Sequence, residues 1–186
     1  MVFSVLCTAP HRVSLFGGGS DIPTYIKSRG TGCVLAFTIK PTITTIVKSH
    51  SGLFDERIRL NYSRTELCES IEQVENKIAK AALKHYGIRE PIYISTVTDI
   101  PDRCGLSSSS AFLSSICAAL EVYNGNRIEL NKIARLSQSL EYNLGRTCGF
   151  QDPVSIVYGG INIQKYKYSH LKDDYIIQRH PLPTAN

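Results

Sequence analysis

One stretch limits the possible folds of this chain more than any other. In Asp99-Ile100-Pro101-Asp102-Arg103-Cys104-Gly105-Leu106-Ser107-Ser108-Ser109-Ser110-Ala111, a glycine and four serines lead out of an apolar segment and into a helical one. Residues 92–97 before it read as a strand. After it, Phe112, Ile116, Ala119, Leu120 and Tyr123 recur at helical spacing until Asn124-Gly125-Asn126 breaks the pattern. A strand-to-helix junction of this kind offers free backbone N–H groups and the positive end of a helix dipole, both suited to phosphate. Small side chains let an anion approach the backbone, and a serine hydroxyl can also ligate Mg²⁺. The plain alternative is a serine-rich helix cap without a ligand, although a cap needs only one serine.

The elements around this junction are mixed. Residues 3–9 read as one strand and residues 12–16 as a second, ending in Gly17-Gly18-Gly19-Ser20-Asp21. Residues 33–37, 43–48 and 58–62 carry β-branched and apolar side chains, the last with Ile58, Leu60 and Tyr62 on one face. Ile71, Val74, Ile78, Ala82 and His85 predict an amphipathic helix over residues 65–86, stopped at Gly87. Leu130, Ala134, Ser137 and Glu141 form the stripe of a third helix ending near Gly145, and Cys148-Gly149-Phe150-Gln151-Asp152-Pro153 turns into a short apolar segment. Residues 160–166 and 175–180 read as terminal strands. Without strict β-α-β alternation, the pattern indicates a single α+β domain rather than a doubly wound sheet.

Composition excludes several classes. With 186 residues, 42% hydrophobic and 20% charged, the chain can bury its own core and shows no disordered tract. The net charge of +5 is scattered, so it favours an anionic ligand without indicating nucleic acid. Tyr166 and Tyr168 between Lys165 and Lys167 fit alternation on an edge strand better than base stacking. No stretch reaches the roughly 20 apolar residues of a membrane span. The N-terminus carries no basic leader, so a cytoplasmic location is expected. Six cysteines without a Cys-x-x-Cys pair, or histidines at zinc spacing, read as buried free thiols.

Single residues can be read two ways. Glu141 falls on the inward stripe of its helix, where an unpaired carboxylate is costly and a metal ion would remove the cost. The alternative is a helix-margin glutamate reaching water or a lysine. Taken alone, Arg12 reads as a surface residue between strands. Asp21 reads as a turn residue or an N-cap after glycine. Asp99 and Asp102 read as turn residues.

The segment Pro101-x-x-x-Gly105-Leu106-Ser107-Ser108-Ser109-Ser110-Ala111 resembles the second signature motif of the GHMP kinases, the family of galactokinase, homoserine kinase, mevalonate kinase and phosphomevalonate kinase. Ala9-Pro10-His11-Arg12-Val13-Ser14-Leu15-Phe16-Gly17-Gly18-Gly19-Ser20-Asp21 resembles the first motif, in the form of the heptose-phosphate and fucose kinase branch. The resemblance implies a fold like the second domain of the ribosomal protein five superfamily, a mixed sheet with helices packed on one face. It implies ATP and Mg²⁺ as cofactors and a sugar or sugar phosphate, such as a heptose 7-phosphate, as substrate. The backbone of Gly105, Leu106, Ser107, Ser108, Ser109 and Ser110 would cradle phosphate, and Ser109 and Glu141 would hold Mg²⁺. Asp152, in Gly149-x-x-Asp152, would accept or orient the proton of the attacking hydroxyl, with Arg12 beside it. Gly18, Gly19 and Asp21 would bind the sugar.

Ser107 stands where the sugar-phosphate kinases of this branch carry glycine and galactokinases carry serine. The resemblance covers residues 9–164, and the family's third motif has no match between 160 and 186. An N-terminal, ATP-binding domain over residues 1–186 is therefore expected, with a separate C-terminal half or a second copy of the chain as partner. A non-catalytic nucleotide- or sugar-binding module is the other class open to such a chain.

Overall fold

The computed structural model describes residues 4–89, 91–101, 104–146 and 148–183. Two long strands, β1 (Ser4–Phe16) and β2 (Thr31–Ser49), pair antiparallel and replace four short strands expected from the sequence. Residue 3, assigned to the first of these, lies outside the described residues, as does Asp102. The strands stay continuous because the register slips between Pro10 and His11, opposite Thr42 and Ile39, so that Lys40 and Pro41 are skipped. A bulge of this kind lets a proline, which has no N–H for the ladder, remain inside a strand.

The other strands are β3 (Ile58–Asn61), β4 (Thr65–Cys68), β5 (Ile92–Thr98), β6 (Ile161–Ser169) and β7 (Asp174–Leu182). The C-terminal half of β2 pairs with β5 and its N-terminal half with β6, on the edge opposite β1. Among the described residues this gives a seven-stranded sheet in the order β4-β3-β5-β2-β6-β7, with β1 on the free edge of β2 and only β3 and β5 parallel.

Among the described residues five helices pack on one face: α1 (Pro23–Arg29), α2 (Lys77–Tyr86), α3 (Ser108–Tyr123), α4 (Leu130–Asn143) and α5 (Gln151–Tyr158). The larger apolar cluster joins Val47, Leu60 and Ile94 of the sheet to Leu83, Leu113 and Ile116 of α2 and α3. A smaller one joins Ile26 of α1 to Val34, Phe150, Val154 and Tyr166. The chain is thus α+β, with a mixed sheet covered on one face.

Helix α3 shows why its apolar stripe understated its burial. Every residue from Ser110 to Glu121 is buried, because sheet, α2, α4 and α5 surround it. Its one buried carboxylate, Glu121, is satisfied by Lys132 at 2.5 Å and by the Tyr86 hydroxyl at 2.8 Å.

The helix expected over residues 65–86 is shorter. Residues 65–68 form β4, a 3-10 turn follows at Ile71–Gln73, and only Lys77–Tyr86 is α-helical. Glu66 accepts from the Tyr62 hydroxyl and from the amides of Glu75 and Asn76, which holds this return out of helical geometry. Asn76 Oδ1 then accepts from the amides of Ile78 and Ala79 and starts α2.

Other expectations need correction. The apolar segment after Cys148 is helix α5, with Pro153 in its first turn, where a missing N–H leaves no bond unmade. Helix α1 has only Ile26 buried, too little for a periodic signal. On α4, Leu130 is exposed at the first residue, while Ala134, Ser137 and Glu141 are buried. Strand β6 is internal, with Tyr166 and Tyr168 turned to the core. All six cysteines are free, but Cys33 and Cys104 are exposed and only Cys68 and Cys117 are buried. Among the described residues no helix is long and apolar enough to cross a membrane.

Candidate active site

The site forms where the C-terminal part of β1, the start of α3, the end of α4 and the start of α5 meet. The loop after β1 is held close to β2. Gly17 has φ +81°, and a Cβ there would stand 1.9 Å from the Cys33 carbonyl oxygen. The Ser20 hydroxyl lies 2.7 Å from the Gly17 carbonyl oxygen and accepts from the Cys33 amide.

Asp21, fully buried, closes this loop onto α5. Oδ1 accepts from the Gly19 amide at 3.0 Å and Oδ2 from the Gln151 amide at 2.9 Å, while its own carbonyl accepts from the Phe150 amide. Burial raises its carboxyl above the ordinary aspartate value, against the pull of these amide donors.

The serine run ends in a helix whose first turn has no capping side chain. Ser107 stands at the N-cap with φ 60° and makes no capping bond, so no cap side chain takes up the amides of Ser108, Ser109 and Ser110. The serines are engaged elsewhere. Ser107 Oγ donates to Asp152 Oδ2 at 2.6 Å, Ser109 Oγ to Glu141 Oε1 at 2.9 Å and Ser110 Oγ to Glu141 Oε2 at 2.5 Å. Arg12 donates from Nε to Asp152 Oδ1 at 2.6 Å and from a terminal nitrogen to the Gly105 carbonyl at 3.2 Å, and its amide reaches the Leu106 carbonyl at 3.4 Å.

Glu141 is 1% exposed. Burial raises its carboxyl above the usual glutamate value, and the two serine donors and Arg146, at 3.6 Å, oppose that rise. A buried carboxylate beside a serine hydroxyl is a pair of hard oxygen donors, which fits Mg²⁺ with phosphate and water completing its shell. Among the described residues no group of three His, Cys, Asp or Glu stands together as a self-sufficient metal site.

Arg12, Gly19, Asp21, Ser109, Glu141 and Asp152 share the wall of one cavity of about 350 Å³. Ser110 also lines it, whereas Gly18, Gly105, Leu106, Ser107 and Ser108 do not. A larger cavity, about 760 Å³, lies on the other face of the sheet beside Cys33 and Lys165 and holds none of the paired charged groups.

The sequence reading missed Arg146, which lines the smaller cavity, and the Ser14–Gln151 hydrogen bond of 2.8 Å that ties β1 to α5. Arg146 had a signal, a lone cation between two candidate acidic ligands. The Ser14–Gln151 pair had none. Asp99 is a turn residue, accepting from the amide and hydroxyl of Thr42.

Residues 74–160 match the family described as GHMP kinases N terminal domain. A galactokinase of Thermotoga maritima is 28% identical over 162 residues, which are 81% of this chain and 43% of that protein. The chain spans about half the length of the curated relatives it matches. The crystal structure of a D-glycero-D-manno-heptose 1-phosphate kinase from Bacteriodes thetaiotaomicron is similar with a TM-score of 0.82 at 24% identity, over 98% of this chain and 61% of that one. Mevalonate kinase of Methanococcus jannaschii is similar with a TM-score of 0.69 at 18% identity, over 98% and 56% of the two chains. At these identities the solved structures speak for the fold.

Proposed function

On the premise that the chain carries the GHMP kinase N-terminal domain over residues 74–160, we propose that it transfers the γ-phosphoryl group of ATP to a hydroxyl of a sugar or sugar phosphate. The observation that carries this reading is one cavity lined by both the Ser109–Glu141 pair and the Arg12–Asp152 pair. Phosphoryl transfer asks a protein to align the acceptor with the phosphate and to offset charge, and the two pairs suit those tasks.

The uncapped first turn of α3 presents amides and a positive dipole end to the ATP phosphates. Ser109 and Glu141 would hold Mg²⁺, which when bound would supply charge neutralisation to the phosphate oxygens. Asp152 accepts a hydrogen bond from the acceptor hydroxyl and orients it, or takes its proton as the bond to phosphorus forms. Arg12, fixed against Asp152, offsets negative charge that builds on the acceptor oxygen. Asp21 already holds two backbone amides. Its part in sugar binding is therefore to shape the Gly18-Gly19 loop, whose backbone meets the acceptor. The role of residues 1–186 as an ATP-binding domain that works with a C-terminal half or a second copy belongs to the same proposal, as does a cytoplasmic setting.

An ADP-release assay with MgATP and a panel of hexoses, heptoses and their phosphates tests it. Turnover with at least one is expected. MgATP binding without ADP release from any of them sinks the kinase reading in favour of a nucleotide-binding module. In an active protein Asp152→Asn lowers kcat by about 10²- to 10⁴-fold, the range of a general acid–base group, and leaves MgATP affinity near the parent value.

A further inference from the structure

We propose that the Ser107 side chain is a positioning group for Asp152, which couples the nucleotide-side loop to the acceptor-side carboxylate, and is not a phosphate ligand. The inference rests on the kinase reading above for its catalytic consequence, but its geometry does not.

Ser107 adopts φ 60° and ψ 38°, a left-handed conformation taken by only one other non-glycine residue among those described, Asp173. That conformation is strained for a residue with a Cβ, whereas glycine would occupy it freely. The side chain does not recover the cost by capping α3, and it does not line the cavity. Its hydroxyl instead lies 2.6 Å from Asp152 Oδ2.

What this bond does follows from the other oxygen. Arg12 Nε holds Asp152 Oδ1 at 2.6 Å, from β1. A carboxylate held at one oxygen can still turn about its terminal torsion, which is broad. Held at both oxygens by donors from different elements, its plane is set and the remaining lone pairs keep one direction. Arg12 also grips the Gly105 carbonyl, so Asp152, Ser107, Gly105 and Arg12 form a closed circuit through the loop backbone. Any shift of the loop on taking up phosphate is then transmitted to the carboxylate that faces the acceptor.

Ser107→Gly is the informative variant, because it keeps the backbone conformation and removes only the side chain. In an active protein, kcat is expected to fall about 10- to 100-fold, the cost of a lost hydrogen bond to a charged group. KM and calorimetric Kd for MgATP should stay within about twofold of the parent, a split that mere loosening of the fold would not produce. Unchanged kcat, or a loss of MgATP affinity in step with kcat, overturns the proposal. If the parent protein releases no ADP with any acceptor, the kinase reading has failed on its own, and a double-mutant cycle of Ser107→Gly and Asp152→Asn on the unfolding equilibrium still decides the pairing. Coupling of fivefold or more, about 1 kcal/mol, supports the pair, and additive effects refute it.

Discussion

Gly149 lies so close to Asp21 that a Cβ on it would stand 1.8 Å from Asp21 Oδ2 and 3.0 Å from the Asp21 carbonyl carbon. The carboxylate cannot retreat, since both its oxygens are bound to amides in a buried position. Gly149→Ala must therefore move the loop after β1 away from α5. A loss of about 1–3 kcal/mol in urea unfolding is expected, the usual cost of overpacking. A parent-like midpoint would show that the two segments are not locked together.

Glu141 makes a prediction with a definite sign. Burial raises its carboxyl in the folded protein above the unfolded value. Its contribution to stability is therefore present at acid pH and is lost as pH rises through the raised value. Glu141→Gln should unfold at a higher temperature than the parent near neutral pH without divalent cations, and the gap should close as the pH falls. The buried Asp21, shifted in the same direction, remains in the variant, so the slope shrinks without vanishing. Magnesium nucleotide should raise the parent melting temperature and leave Glu141→Gln nearly unmoved. A variant less stable than the parent at neutral pH would mean that the serine donors outweigh burial.

Arg12 and Asp152 should separate in binding. Arg12 holds the Gly105 carbonyl as well as the carboxylate. Arg12→Ala is expected to weaken MgATP about tenfold or more through the loosened loop, in addition to its effect on turnover, whereas Asp152→Asn leaves MgATP affinity near parent. Equal affinities for the two variants in calorimetry would remove Arg12 from the loop.

The start of α2 tests the revised helix boundary. Asn76→Ala deletes the acceptor of the Ile78 and Ala79 amides and should cost about 1 kcal/mol. If residues 65–86 were one helix, Asn76 would be an interior position, and alanine there would stabilise it.

Much of the fold was legible because strand and helix patterns are local. The alternation of Ile58 and Leu60, the breaks at Gly87 and Asn124, and the strand-to-helix passage around Ser107 all depend on near neighbours. The boundary at Asn76 was misread because Ile71 and Val74 happen to continue a helical spacing, while the Glu66 bonds that stop it come from a side chain in a strand. Helix α3 looked one-sided because small residues such as Ser114, Ser115 and Ala118 carry little hydropathy, yet they are what lets neighbours approach on every side.

Local residue pattern is enough to place a serine-rich junction suited to phosphate between a strand and a helix, and Glu141 on the inward stripe of a helix. Tertiary structure alone decided which serine meets which carboxylate, that Asp21 holds backbone amides, and that Arg12 meets Asp152 across 140 positions of chain. Periodicity reports that a face is buried because burial repeats with the turn of the helix. It carries no information on the partner, since a hydrogen bond depends on the direction of two groups that only the packing of β1, α3, α4 and α5 brings within 3 Å of each other.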